Sequence, residues 1–270
     1  CYGIYKRMER DFNRDLHVNF NGAANQSRAW NNLSPHLSRN QLMDMWGRDM
    51  PLYMTAHFGF SGDTQAKVDI TGGRGSKHIF TVDDCYFYKS DPEKTYLRIG
   101  EVRVKEGHRG EKLGKLFLRN TVAVCDAMGI KEIQLRAGRE DGPFFWARHG
   151  FVLEAPFVRR NFDEDMKDML EKYRDRMRPE SVAAVEQALE EDSDRINWVI
   201  ADLPDVIDGK PVGALLMAHT EYRATLRLDD PDHRARLVEA LERADIDASM
   251  IETPPWNRGR QAAHGTEARP

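Results

Sequence analysis

His108-Arg109-Gly110-Glu111-Lys112-Leu113-Gly114 is a charged, glycine-bearing loop set between an apolar run and a helix. The run before it, Tyr96 to Val104, reads as a strand carrying Leu97, Ile99, Val102 and Val104. Leu113 to Met128 then repeats apolar residues at helical spacing, with Leu113, Leu116, Phe117, Val124 and Met128 on one side. Gly129 stands where a left-handed C-terminal cap belongs. At a strand–loop–helix junction, successive backbone N–H groups point outward at the partly positive helix end, which suits a diphosphate. Gly110 and Gly114 permit close approach, and Lys112, Lys115 and Arg119 are expected to add positive charge along one edge. A basic loop before a helix is also an ordinary connection, so the loop is weighed with its surroundings.

Downstream, Ile130 to Leu135 is a strand, and Pro143 opens a short helix running through Trp146-Ala147-Arg148-His149. Gly150 ends that helix before a strand, Phe151-Val152-Leu153. Upstream, Leu52 to Phe60, Ala66 to Ile70 and His78 to Tyr88 read as strands. Turns are expected at Ser61-Gly62-Asp63 and Gly72-Gly73-Arg74-Gly75. Residues 1–50 are polar and mostly helical. Tyr5 to Leu16 spaces Met8, Phe12 and Leu16 on one face, Asn19 to Asn32 reads as loop, and Ser38 caps a short helix through Leu42, Met45 and Trp46.

The order from Tyr96 to Leu153 resembles the GNAT superfamily of acyl-CoA-dependent N-acetyltransferases. Their acyl-CoA loop follows Arg/Gln-x-x-Gly-x-Gly/Ala. Arg109 matches its first position, Gly114 its last, and Lys112 replaces the first glycine. Their later Tyr-x-x-x-Gly-Phe is matched by Gly150 and Phe151, with Trp146 at the tyrosine position. An asparagine common seven residues earlier is Arg139 here. The resemblance implies a splayed, mixed, mostly antiparallel α/β sheet flanked by helices, and acetyl-CoA as co-substrate. It assigns the diphosphate to Arg109, Gly110, Glu111, Lys112, Leu113 and Gly114, and the pantetheine amides to the backbone of Val102, Arg103 and Val104. Val102 and Val104 can equally be core residues.

Acyl transfer from a thioester to an amine needs a neutral amine, a polarised carbonyl and a proton for the leaving thiolate. Candidate bases are Glu101 first, then Asp83, Asp84, Glu140 and Asp141. Trp146 can donate a hydrogen bond but cannot ionise as a tyrosine does. His149 either shuttles a proton or is an exposed histidine at a helix end. The reading is therefore an N-acetyltransferase acting on a small-molecule or protein amine. The alternative is a catalytically weak GNAT-like module that binds CoA or a protein.

The 270 residues are 40% hydrophobic and 31% charged, an ordinary core fraction with a local excess of charge. Much of that excess lies between Asn161 and Arg195, where 12 acidic and 6 basic residues stand. Two helices joined at Arg178-Pro179 fit there, with Met166, Met169, Leu170 and Tyr173 as an apolar stripe. Ile196 to Ala201, Val212 to Ala218 and Tyr222 to Leu228 read as strands. Asp230-Pro231 then starts a helix with Leu237, Val238 and Leu241 inward. The expected division is a GNAT-like domain over 1–157 (its first 50 residues helical), an α+β appendage over 158–250, and a disordered tail over 251–270.

Net charge is −4, so the whole chain has no drive toward nucleic acid or an anionic membrane. The longest apolar run, Val212 to Ala218, is far short of the ~20 residues of a membrane span. Cys1, Cys85 and Cys125 form no CxxC pair or disulfide framework, which points to a reducing, cytoplasmic setting. No His/Cys spacing suits a metal. The chain opens on Cys1 rather than Met, so a fragment or processed chain is expected in preference to a lipidated terminus. A homodimer is left open.

Overall fold

The computed structural model describes residues 23–60, 65–89, 91, 94–138, 141–154, 157–191 and 193–252. The fold is mixed α/β, with mostly antiparallel strands flanked by helices. The chain divides into two compact units, Cys1–Ile133 with Leu241–Pro270, and Gln134–Ala240. The domain boundary expected at 157/158 falls inside the second unit. The Tyr5–Leu16 helix and the tail beyond Glu252 lie outside the described residues.

The first unit opens with α1 (Ala23–Leu33) and α2 (Arg39–Trp46). Asn19 to Asn32 was expected to be loop, yet Ala23–Leu33 is helical. Trp30 and Leu33 are buried, and Trp30 packs edge-on to Phe58 at 5.5 Å, so tertiary burial outweighs the weak helix propensity of Asn and Ser. Ser38 caps α2 in a reciprocal capping box with Gln41, as its sequence predicts. The meander β1 (Tyr53–Phe60), β2 (Gln65–Arg74) and β3 (Lys77–Tyr88) is antiparallel. The predicted turn at 72–75 is corrected: Gly72, Gly73 and Arg74 still pair within β2, and the chain reverses at Gly75 and Ser76.

The strand expected over 96–104 is two, β4 (Tyr96–Ile99) and β5 (Glu101–Val104). Gly100 interrupts it because a Cβ there would lie 2.7 Å from the Asp84 Cβ. Asp84 sits at a bulge of β3 with φ +55, and its amide is held by Asp69 Oδ1 at 2.9 Å. The break divides the strand's pairing. On one side of it β4 pairs with β3 and neighbours the start of β6 (Glu132–Ala137), where Thr95 O receives the Lys131 and Glu132 amides. Beyond Gly100, β5 pairs with β3 alone among the described residues, which is the splay.

Helix α3 (Leu113–Met128) ends on Gly129 at φ +69, as read from sequence. It was expected to bury one side, but Phe117 to Asp126 are all buried. Phe80 packs on Phe117 at 5.2 Å, Trp46 on Phe87 at 5.9 Å, and the Trp46 indole donates to Thr121 Oγ1 at 3.1 Å. Arg119 was expected at the edge of the anion loop. It is 3% exposed and faces inward, donating to Arg48 O, Asp49 and Asp247 O.

The second unit holds the rest of β6, α4 (Gly142–Arg148), β7 (Val152–Leu153), α5 (Phe157–Tyr173), α6 (Pro179–Glu190), α7 (Ile196–Ala201), a hairpin of β8 (Val206–Ile207) and β9 (Lys210–Pro211), α8 (Val212–Met217), β10 (Tyr222–Arg227) and most of α9 (Pro231–Glu242). Two expected strands, 196–201 and 212–218, are the helices α7 and α8. Six-residue apolar runs carry no usable period, and these are buried as short core helices. The stripe of α5 is buried at Met166, Met169 and Leu170, and Phe162 meets the Tyr222 ring at 5.4 Å. Asp230 caps α9 by accepting from the Asp232 and His233 amides; Leu237 and Leu241 are buried, while Val238 is only half-buried. The last helix, α10 (Ser249–Glu252), belongs to the first unit and packs on α3.

Candidate functional site

The loop between β5 and α3 is shaped by two left-handed residues. Gly110 has φ +96 and Lys112 has φ +61, ψ 10. Lys112 therefore adopts, at the N-cap of α3, a conformation that glycine takes without steric cost. This gives a physical reason for a glycine at that place in the motif. The first bonds of the helix run from the Lys115 and Leu116 amides to Lys112 O, both at 3.0 Å. The amides of Leu113 and Gly114 precede them and have no intrahelical acceptor, as at any helix start. By helix geometry these N–H groups point out of the positive N-terminal end of a 16-residue helix.

Glu111 places a carboxylate in this loop, and the side chains of Arg74 and His108 hold it. Arg74 Nη2 lies 2.6 Å from Oε2, and His108 Nδ1 lies 2.7 Å from Oε1. Beside them the Glu111 carboxyl is held below the usual carboxylate range, by His108 first and Arg74 second. Arg109 and Lys112 are exposed, and Lys112 Nζ approaches Asp245 at 3.5 Å. His108 was readable three residues before Glu111. Arg74, 37 residues away, had no local signal.

On β5, Val102 and Val104 are half-buried, while Glu101 and Arg103 are exposed. Arg103 grips both oxygens of Glu101 through Nε and Nη2 and keeps that carboxyl below its ordinary range. Asp83 also lies 3.7 Å from Arg103. Asp84 is paired with Lys67 at 2.7 Å, which lowers its carboxyl in the same way. The acids of the first unit near the bulge are thus neutralised by basic partners. Glu101 and Val102 to Gly114 come together in this unit.

Trp146 and His149 belong to the second unit, on α4 and its C-terminal cap. The half-buried Trp146 ring lies edge-on to Phe145 at 4.8 Å and to Phe151 at 5.1 Å. The exposed alternative for His149 is corrected. It is 4% exposed, stacks on Phe145 at 4.2 Å, and sets Nδ1 2.7 Å from Phe145 O. Gly150 is fixed by two demands, φ +88 and a Cβ position only 2.6 Å from His233 O. Arg139 and Glu140 lie outside the described residues, and Asp141 is exposed. Among the described residues no cluster of three or more His, Cys, Asp or Glu could hold a metal, and no helix is long and apolar enough to cross a membrane.

The sequence matches no protein-family model and no curated protein. Among solved structures it is similar to a Bacillus subtilis acetyltransferase in complex with CoA, at 13% identity over 60% of this chain and 76% of that one, with a TM-score of 0.29. It is also similar to a Vibrio cholerae spermidine N-acetyltransferase in complex with CoA and spermine, at 10% identity over 57% and 78%, TM-score 0.26. A chimera of the V. cholerae enzyme gives 10% identity over 83% and 90%, TM-score 0.27.

Proposed function

We propose that this chain is an acyl-CoA-dependent N-acyltransferase moving an acetyl group from acetyl-CoA to a primary amine of a small molecule or a protein. The observation that carries the reading is the left-handed Lys112, which opens α3 with the Leu113 and Gly114 amides turned outward behind a strand paired on one side. Those amides fit a diphosphate, since backbone donors at a helix start bind anions without needing a charged side chain. The backbone of Val102, Arg103 and Val104 supports the reading with amides on a strand whose partner is β3. Acetyl-CoA held there supplies the activated acyl thioester. Glu101 is the proposed acceptor-side carboxylate. It can exchange Arg103 for the ammonium of the amine and hold that nitrogen before its proton is lost.

A second reading, a CoA- or protein-binding module with weak catalysis, is favoured by the clamp on Glu101. A carboxyl held below its ordinary range is a poor proton acceptor, and a positioned base is worth ~10² to 10⁴ in rate. Thiol release from acetyl-CoA across a panel of amines, beside calorimetry with CoA, separates the two. Turnover with at least one amine supports the enzyme, and CoA binding without turnover supports the module. Gly114→Val, which puts a branched side chain beside the outward amides, should weaken CoA binding at least tenfold. Parent-like affinity in that variant would withdraw the loop from the site.

A further inference from the structure

We propose that Arg74 is a positioning residue of the anion loop, acting from β2 through Glu111, with His108 holding the same carboxylate from the other side. The inference rests on reading the loop as the CoA diphosphate site. The Leu113 and Gly114 amides open the helix only while Lys112 stays left-handed, a conformation that is unfavourable for a non-glycine residue. Such strain persists only where the surroundings over-determine it. The residue just before Lys112 is Glu111, and both its oxygens are occupied, Oε2 by Arg74 and Oε1 by His108. Its amide also returns to His108 O at 3.3 Å.

Arg74 is itself fixed. Its Nε donates to Pro51 O at 3.1 Å, so one guanidinium ties the entry of β1 to the loop. Its neighbours hold the backbone in place. The Tyr53 hydroxyl donates to Gly75 O, and Gly73 lacks a side chain where a Cβ would meet Lys77 O at 2.5 Å. The end of β2 thus sets the Arg74 guanidinium between Pro51 O and Glu111, one nitrogen on each. Neutralising Glu111 also keeps a bare carboxylate away from an anion site. The competing account is a surface ion pair of no consequence, which such pairs often are.

The test compares Arg74→Ala, Glu111→Gln, their double variant and Arg74→Lys with the parent. It measures CoA affinity by calorimetry, steady-state rates with acetyl-CoA, and unfolding midpoints. If the loop is positioned this way, each single variant weakens CoA binding and raises KM for acetyl-CoA about five- to tenfold. The double variant is then no worse than either single one, and kcat stays within twofold. Arg74→Lys recovers only part, because an ammonium cannot reach Pro51 O and Glu111 as a fork does. Parent-like CoA affinity in Arg74→Ala, or fully additive losses in the double variant, overturns the proposal. If the parent itself binds no CoA, the functional reading fails separately, and hydrogen exchange still decides the positioning. The Lys115 and Leu116 amides, bonded to Lys112 O, should exchange faster in Arg74→Ala, and unchanged exchange overturns it.

Discussion

The Arg119 guanidinium, buried on α3, donates to the Asp49 carboxylate at 2.9 Å. The same side chain reaches Arg48 O at 3.1 Å and Asp247 O at 3.2 Å, and its neighbour Asn120 donates to Trp46 O and Arg48 O. Two adjacent polar residues on α3 therefore satisfy the carbonyls that end α2 and the segment that returns before α10. Removing the guanidinium takes both donors from the buried Asn120 Oδ1 and the side-chain donor from Asp247 O, while Arg48 O keeps its bond from Asn120. Arg119→Met should cost about 2–4 kcal/mol in urea unfolding at unchanged m-value. Arg119→Lys should recover little, since an ammonium cannot span the same acceptors. A loss under ~1 kcal/mol would show that the carbonyls find other partners.

Lys112 pays for a glycine's conformation. Lys112→Gly should stabilise the protein by about 0.5–1 kcal/mol, and Lys112→Val should destabilise it by more than ~1 kcal/mol. Under the proposed function, Lys112→Ala should leave CoA affinity within about threefold of the parent, because there the backbone rather than the side chain would serve the anion. Thermal unfolding and calorimetry of the three variants check this. A Lys112→Gly variant less stable than the parent would contradict it.

Asp245 places a negative charge 3.5 Å from Lys112 Nζ and is almost fully exposed. Its φ is +51, a region that asparagine tolerates well, so Asp245→Asn changes the charge and little else. CoA should bind about two- to threefold more tightly to this variant at low ionic strength, and the gain should disappear in roughly 0.5 M salt. A gain that persists in high salt would have to come from geometry.

His233 is fully buried at the start of α9. Its Nδ1 faces the Arg227 amide at 3.3 Å, Nε2 lies 3.6 Å from Asp230, and its ring meets Trp198 at 5.1 Å. Burial pushes it down to about 4, opposed by Asp230 and Asp194 and assisted by Arg227 and Arg195. Between pH 6.5 and about 4 the unfolded chain binds a proton that the folded one refuses, so stability falls as pH falls through that window. The loss should reach about 3 kcal/mol and level off below it. Asp230, also held below its ordinary value, adds its own loss only at the acid end. His233→Asn keeps an acceptor for the Arg227 amide and should flatten the profile in denaturant titrations at pH 7, 5.5 and 4.5. Equal slopes for parent and variant would remove His233 as the cause.

Trp146 stands where the resemblance expects a tyrosine. If it serves the leaving thiolate, Trp146→Phe should change acetyl-transfer rates less than threefold, because no ionisable acid is lost. Trp146→Tyr should raise them severalfold by adding a phenol. Trp146→Ala should act through lost packing against Phe145 and Phe151. Should all three variants shift only the unfolding midpoint, Trp146 is a core aromatic and leaves the site.

Helix α3 was legible to the residue, because its apolar spacing and the left-handed Gly129 are local signals. The cap at Ser38, the Gly150-Phe151 corner and the loop between Val104 and Leu113 were readable for the same reason, each lying within a few residues of chain. Other features depend on what lies far away in sequence. Ile196–Ala201 and Val212–Met217 are too short for a period to separate helix from strand, so burial within the second unit decides them. Gly100 breaks a strand only because the Asp84 backbone approaches it. Arg119 looked like a loop cation, yet it turns inward to carbonyls from residues 48 and 247. Glu111 was read as part of the loop, and its partner Arg74 comes from another strand, 37 residues away. Backbone conformation follows from neighbours along the chain. The charge a side chain presents depends on partners that only folding brings within hydrogen-bonding distance.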